Sequence, residues 1–538
     1  MTEIKKIKSV VPNSRKFDFD SKADLESIDR YLSDESKMRG TADAIFFPES
    51  TEEVAIILEE ARKRMRTVTI SGGRTGVAGG AVPNGGWLLS MEKMNKVSRF
   101  YLDKVSGEYR VVVQPGIPLS SFRQMILSGR FDFDKTMPPP AADELAQFRK
   151  ETTRWMFPPD PTEPSAQLGG MVATNASGAK TFRYGPVRNY VKKAKVALAG
   201  GGLIDIDRGT CFFESGKDLT LNYDGRKITI PSPSYSIPQI KHACGYYSAS
   251  KLDLLDLFIG SEGTLGVFTE IELALKIVEG ERAEVVAFFN DYASVAKFVD
   301  SLRSCQEPGQ FLIESIEYMC PKSLEMLENE PEKWGGGLEF PKPQKMAIFV
   351  GVRILGRHDD TLGKISQMIG DSGGDTQNAC VAISPPDLSR MASLRHQLPE
   401  KVNDLISQRR KTNPGLTKLG TDMAVPDSRL EEILNFYTST LNKAGLEHCI
   451  FGHIGNNHLH VNIIPRNTEE YKRGREIYVF FAENVVKMGG SVSAEHGVGK
   501  LKKNLLEIQF SKNALEEMKK IKRVFDDQMI LGQGNLFA

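Results

Sequence analysis

Residues 50–80 read STEEVAIILEEARKRMRTVTISGGRTGVAGG. Ser50 and Glu53 form the S-x-x-E pattern of a capping box. Val54, Ile57, Leu58 and Ala61 then recur at helical spacing and predict one apolar face. Thr67–Ile70 is a short β-branched strand that runs straight into the glycine-rich Ser71–Gly80, and a second strand, GWLLSM at 86–91, follows. This succession of helix, strand, glycine loop and strand discriminates among nucleotide-binding folds. A Rossmann fingerprint needs GxGxxG spacing and a helix after the loop, and a Walker A loop needs GK[ST]; neither is present here.

Three further glycine clusters lie in the same half of the chain: Gln167–Gly178 (QLGGMVATNASG), Ala199–Gly202 and Gly260–Gly266 (GSEGTLG). Glycine loops let backbone N–H groups approach anionic oxygens, because no side chain intervenes and positive φ is free. One such cluster reads as a tight turn. Several in one domain favour a large anionic ligand lying across several loops. From 45 to 277 helices alternate with short strands. A Pro-rich stretch between Gly129 and Pro161 is long for a connection, and its middle predicts a helix. From about 280 the pattern changes: EVVAFF (284–289), KMAIFVGVRI (345–354) and HCIFGHIG (448–455) read as strands, ASVAKFVDSLRS (293–304) and RLEEILNFYTSTLNKAG (429–445) as helices. The fold class expected is α+β. The expected division is a polar, helical lead-in over 1–44, a ligand-binding domain over 45–277, a second α+β domain with an antiparallel sheet over 278–510, and a helix and tail over 511–538 that return to the first domain.

Composition excludes several classes. The chain has 538 residues, 40% hydrophobic and 26% charged, an ordinary globular balance that calls for more than one core. Lys plus Arg number 70 against 69 acidic residues, which gives no electrostatic case for nucleic acid. The basic runs Arg62–Arg66 and Lys519–Arg523 sit in amphipathic patterns and read as solvated helix faces. Six scattered cysteines form neither a disulfide framework nor an iron–sulfur pattern. The N-terminus reads as no signal peptide, and no stretch approaches the roughly 18 apolar residues of a membrane span. The expected location is cytoplasmic, with any membrane contact peripheral at the inner face or through a partner.

Five of the eight histidines fall between 448 and 496. CIFGHIGNNHLHVNII (449–464) predicts strand, turn, strand, with Gly455-Asn456-Asn457 as the turn. On the second strand His458, His460 and Asn462 share one face, and the turn brings His453 toward His460. GGSVSAEHGVGK (489–500) adds Glu495 and His496 beyond a helix end at Gly489-Gly490. Two imidazoles and a carboxylate with an open position suit a catalytic metal. From spacing alone, hydrogen-bonded histidines in a polar sheet are the slightly favoured reading.

The order and wording of these segments are recognisable. PESTEEVAIILEEARKRMRTVTISGGRTGVAGGAV (48–82), VVVQPGIPLSSF (111–122), PTEPSAQLGGMVATNASGAKTFRYG (161–185) and FIGSEGTLGVFTEIEL (258–273) resemble, in the same order, the FAD domain of the vanillyl-alcohol oxidase superfamily. The resemblance implies a PCMH-type FAD-binding domain of two α+β subdomains plus an α+β cap domain. It places Gly72, Gly73, Arg74, Thr75 and Gly76 around the FAD pyrophosphate, with Pro115 and Gly116 lining the same groove. Gly169, Gly170, Asn175 and Gly178 meet the flavin and its ribityl chain. Glu262, Gly263, Thr264, Gly266 and Val267 meet the adenosine side and the middle of the cofactor. GQGNLFA (532–538) resembles the family's ending without its proline and implies that Asn535 touches the flavin. No histidine or cysteine is placed for a covalent link, so FAD is expected to be non-covalent.

HIGNNHLHVN with SAEHGVG resembles the D-2-hydroxy-acid dehydrogenase branch, which includes D-lactate, D-2-hydroxyglutarate and glycolate dehydrogenases. The resemblance makes His453, His460 and Glu495 ligands of a divalent metal, zinc or manganese, and His496 the acid/base group. Where the family has Asp-Gly-Asn, this chain has Asn456-Asn457-His458, and spectator, supporting group and extra ligand are all open for His458. RMASLRHQLPEKV (390–402) makes Arg395 the clamp for the substrate carboxylate, a role suited to a permanently charged, bidentate guanidinium. In GLTKLGTDMAVP (415–426) the position before Thr421-Asp422 is Gly420, so Lys418, two residues earlier, is the candidate second substrate contact. The expected reaction is hydride transfer from a D-2-hydroxy acid, D-lactate first, to FAD. The electron acceptor is a quinone, an electron-transfer flavoprotein or an iron–sulfur subunit, and the expected assembly a homodimer. The alternatives are a flavin-dependent transferase of the ether-lipid type, a flavin subunit of an electron-transfer complex such as glycolate oxidase, and a non-catalytic flavoprotein.

Overall fold

The computed structural model describes residues 28–136, 142–214, 216–223, 225–305, 309–328, 340–343 and 345–537. Most of the lead-in expected before residue 44, and residues 137–141 of the Pro-rich stretch, lie outside the described residues. The chain is a mixed α+β protein with two successive bodies of sheet.

The helix of the opening motif spans Thr51–Lys63 and buries Val54, Ile57, Leu58 and Ala61. Ser50 Oγ accepts the Glu53 N–H at 3.2 Å. The reciprocal arm differs from a standard capping box: the Glu53 carboxylate takes the Glu49 N–H at 2.8 Å, one residue earlier than the cap. Strands Ala44–Phe46, Trp87–Ser90 and Val68–Ser71 form a three-stranded parallel sheet. Five antiparallel strands follow, in the order Val97–Asp103, Glu108–Val113, Val267–Ala274, Val191–Ala197, Leu203–Asp207. The Pro-rich stretch contains the expected helix, at Ala142–Lys150.

The second body is one antiparallel sheet of eight strands. An interior strand, Met346–Ile354 (MAIFVGVRI), is buried at every position. An uninterrupted apolar strand needs cover on both faces. Alternate residues Ile348, Val350 and Val352 join a core with Phe298, Val299 and Ile365 from the helices on one side. Ala347 and Phe349 join Leu394 and Leu398, from helix Pro385–Arg410, on the other. Toward one edge the order runs Phe311–Met319, His448–His453, His458–Ile463 and Leu419–Gly420, with Met423–Ala424 also pairing on His458–Ile463.

The C-terminal helix Lys512–Phe525 leads back to the first body. Phe525 packs on Phe258, Leu531 bridges Val68, and the buried Lys522 ammonium donates to Thr264 O and Leu531 O. No helix among the described residues is long and apolar enough to cross a membrane.

Candidate active site

The glycine loops converge. Gly72 faces the Gln167 side chain and Gly170, Gly263 faces Ile70, Gly260 faces Asn175, and Gly532 faces Gly263 and Thr264. Non-glycine residues take positive φ at one point in each of three loops: Arg74 at 58°, Asn175 at 49° and Glu262 at 54°. Such strain is held in place by surrounding structure and concentrates at ligand sites.

The candidate cofactor residues divide into two kinds. A Cβ on Gly169 would come 2.4 Å from Pro115 Cβ, on Gly116 2.1 Å from Met91 O, on Gly178 1.8 Å from Asp160 O, and on Gly266 2.4 Å from Val196 Cγ1. These glycines permit close packing of the loops. Gly76 and Gly170 meet nothing within 4 Å and line open space, the cradle a large ligand needs. Gln167 Oε1 and Ser71 Oγ beside this space are buried without a hydrogen-bond partner. Thr264 and Val267 are buried in the loop and strand behind it. Arg74 lies over the Tyr31 ring, and Thr75 follows it on the partly exposed tip. Glu262 accepts the N–H groups of Val498 (2.8 Å) and Gly499 (2.6 Å). Asn535 donates to Gly80 O and Glu262 O and accepts from Lys500. Glu262 and Asn535 thus tie the loops to the segment that carries Glu495 and His496.

The histidine hairpin is set by strand register. His453 pairs with His458 across the hairpin and His460 lies diagonally, so the pairing differs from a direct His453–His460 match. The rings still meet: His453–His460 centroids are 5.6 Å apart and His458–His460 4.5 Å. Asn457, at φ 47°, closes the turn. Ligand atoms of His453, His458, His460 and Glu495 all lie within 4.8 Å of one another.

Each imidazole is backed on one nitrogen. His453 Nδ1 donates to the Glu317 carboxylate at 2.8 Å. His460 Nδ1 donates to Thr421 O at 3.1 Å. His458 Nε2 stands 3.0 Å from Asp422 Oδ1, although neither of its ring nitrogens makes an aligned hydrogen bond. A backed nitrogen fixes the tautomer and leaves the other as a lone-pair donor, the usual support of a metal-binding histidine. Burial lowers the basicity of His453, but Glu317 and Glu495 outweigh it and raise the imidazole to about 9. Burial holds His458 well below its usual range, aided by the Lys241 ammonium. Glu495 is buried. Its Oε1 accepts from Lys241 Nζ and from Ser177 Oγ at 3.2 Å, and lies 3.3 Å from His453 Nε2. Lys241 and Ser177 belong to the first body, so Glu495 joins both halves of the site. The donor set of imidazoles and carboxylate, pre-oriented around one point, fits a divalent metal.

His496 stacks on His460 with ring planes 10° apart and centroids 5.5 Å apart. Its Nδ1 lies 3.5 Å from both Asp422 Oδ2 and Lys502 Nζ. Burial pushes His496 down to about 4 against the pull of Asp422. Asp422 is fully buried and accepts from Ser493 Oγ, the Glu495 and His496 N–H groups and Lys502. Arg395 is held by Glu284, whose Oε1 lies 3.6 Å from Nε. Burial lowers its basicity, but Glu284, Glu317, Asp160 and Glu314 outweigh this and raise it. Lys418 has its Cε 3.9 Å from where a Gly420 Cβ would stand, beside Asn462 Oδ1.

Sequence reasoning missed Glu317, Lys241, Ser177, Asp422 and Lys502. Glu314 and Glu317, in the otherwise apolar strand FLIESIEYM, carried a signal, because buried carboxylates need partners. Lys241, in IKHACGY, carried none.

A fold of two sheet bodies with converging glycine loops and an adjoining cluster of imidazoles defines a class. The family "FAD linked oxidases, C-terminal domain" matches residues 280–536, and "FAD binding domain" matches residues 42–132 and 143–207. The chain belongs to the FAD-linked oxidases of the vanillyl-alcohol oxidase, PCMH-type family. Within it, this is an FAD-dependent oxidoreductase of the D-lactate and D-2-hydroxyglutarate dehydrogenase branch. It is 28% identical over 506 residues to a D-lactate dehydrogenase of Anaerostipes hadrus, covering 90% of this chain and 88% of that one. It is 26% identical to a D-2-hydroxyglutarate dehydrogenase of Stutzerimonas stutzeri, over 96% of this chain and 95% of that one. The solved alkyldihydroxyacetonephosphate synthase shares the fold, with a TM-score of 0.63 at 15% identity over 98% of this chain and 84% of that one.

Proposed function

We propose that this protein oxidises a small D-2-hydroxy acid to the 2-keto acid, with D-lactate as the first candidate. The supporting observation is the focus of His453, His460 and Glu495, each imidazole backed by its own acceptor, beside a half-buried His496. Those three residues would hold the metal, and the loops at Gly72–Gly76, Gly169–Gly178 and Glu262–Val267, with Pro115, Gly116 and Asn535, would hold FAD without a covalent bond. When bound, FAD supplies the hydride acceptor, and zinc or manganese supplies Lewis acidity at the substrate oxygen.

The chain's own residues do the rest. Arg395 makes no hydrogen bond among the described residues beyond its Glu284 ion contact, so its terminal nitrogens can grip the substrate carboxylate in bidentate fashion. Lys418 gives a second contact across the space left by Gly420. His496 is neutral above about pH 4, and Nε2, the nitrogen away from Asp422, accepts the hydroxyl proton. Asp422 steadies the imidazolium that results. The same reading assigns FAD to residues 45–277, substrate and metal to 278–510, and the returning helix and tail to 511–538. It includes a cytoplasmic homodimer that passes electrons to a quinone, a flavoprotein or an iron–sulfur subunit.

The test is anaerobic mixing of the purified protein with single enantiomers of lactate and 2-hydroxyglutarate, and with glycolate, while the visible flavin band is followed. Bleaching by one D-acid and not its L-form is expected. A flavin that no hydroxy acid bleaches would overturn the reading.

A further inference from the structure

We propose that His458 is a fourth protein ligand, so that the metal centre of this chain is three imidazoles and one carboxylate. The inference rests on the reading that His453, His460 and Glu495 hold a divalent ion.

Four observations carry it. First, His458 has no exposed surface, and both ring nitrogens lack an aligned hydrogen bond. A buried imidazole left so costs stability unless a ligand takes one nitrogen. Second, Nδ1 points at the focus: it lies 4.0 Å from Glu495 Oε2, and the ring centroid stands 5.4 Å from that of His453 and 4.5 Å from that of His460, so the three rings form a triangle. Third, Glu495 Oε1 is occupied by Lys241 and Ser177, so the carboxylate oxygen left for an ion is Oε2, the one that faces His458. Fourth, the opposite nitrogen, Nε2, faces Asp422 Oδ1 at 3.0 Å. Asp422 is itself fixed by Ser493, Lys502 and two backbone N–H groups. His458 therefore has an oxygen close behind one nitrogen, as His453 and His460 do, and its other nitrogen toward the focus, although the Asp422 contact is not an aligned hydrogen bond.

The position of the residue explains how it enters. His458 opens the second strand, two residues before His460, so both side chains leave the same face of the sheet. His453 sits opposite it in register, and the three rings surround one point without any change of backbone. A donor set with three nitrogens prefers zinc over manganese, which favours oxygen ligands. His458 thus makes this a nitrogen-rich, zinc-selecting centre.

Full-length, metal-free protein loaded with zinc alone tests the proposal. X-ray absorption at the zinc edge of the unmutated protein is expected to count three imidazoles. In parallel, a chelator competition on His458→Asn is expected to show zinc affinity reduced about tenfold or more, with the preference over manganese narrowed. Asparagine keeps a polar side chain of similar size but has no ring nitrogen. Two imidazoles in the unmutated protein, or equal zinc affinity in the variant, would overturn the role of His458 and leave a three-ligand centre standing. Failure of the unmutated protein to hold one zinc would overturn that underlying reading as well.

Discussion

Glu317 stands behind His453: its carboxylate accepts the Nδ1–H at 2.8 Å, at a sequence separation of 136 residues. The carboxylate sets which nitrogen of His453 faces the focus. Glu317→Ala should therefore weaken metal binding by about 10–100-fold while leaving all four candidate ligands in place. Chelator competition on the two proteins measures this. Unchanged affinity would show that the ring is oriented by packing alone.

Arg395 and His496 serve different steps, and their variants should separate. Arg395→Ala removes the carboxylate clamp and should raise KM for the hydroxy acid by about 10–100-fold. Lys418→Ala should have a smaller effect in the same direction. His496→Ala should slow flavin reduction by about 10²–10⁴-fold. Stopped-flow reduction over a range of substrate concentrations distinguishes the two. Normal flavin reduction in His496→Ala would remove the general-base role.

Glu262 gives a pH prediction. Burial raises its carboxyl from 4.5 to about 7, partly offset by the Val498 and Gly499 N–H groups. The folded protein therefore holds a proton that the unfolded chain has lost within that window. The contribution to stability is greatest below pH 4.5 and declines as pH rises toward about 7. Glu262→Gln abolishes this titration. Relative to the unmutated protein, the variant should gain stability across the window, on the order of 3 kcal/mol. Denaturant titrations of both proteins at each end of the window supply the comparison.

Two adjacent glycines should behave differently. Gly169→Ala drives a methyl to 2.4 Å from Pro115 Cβ, whereas Gly170→Ala meets nothing within 4 Å. Both lie in helix Leu168–Ala173, where alanine is intrinsically favoured by about 1 kcal/mol. Gly169→Ala should destabilise the fold by about 1–3 kcal/mol. Gly170→Ala should fold at least as well as the parent yet bind FAD more weakly. Thermal melts of the FAD-free proteins and flavin titration check the two halves. Full FAD affinity in Gly170→Ala would remove that glycine from the cofactor surface.

The local elements were legible because they obey local rules. The Val54, Ile57, Leu58, Ala61 face, the helix over 142–150 and the hairpin at 448–463 follow from periodicity and turn chemistry. The shift of the Glu53 arm to the Glu49 N–H did not, because it depends on the backbone path just before the cap.

The sequence alone determined where the glycine loops fall, and that His458 and His460 would share a strand face. Both depend on residues close together in the chain. The tertiary structure decided which nitrogens face the focus. His453 takes its tautomer from Glu317 and His460 from Thr421, His458 faces Asp422, and Glu495 is held by Lys241 and Ser177. Those partners arrive through sheet register and through contact between the two bodies. Burial then fixes the charges, because a carboxylate or ammonium removed from water must find its counter-charge wherever the fold places it.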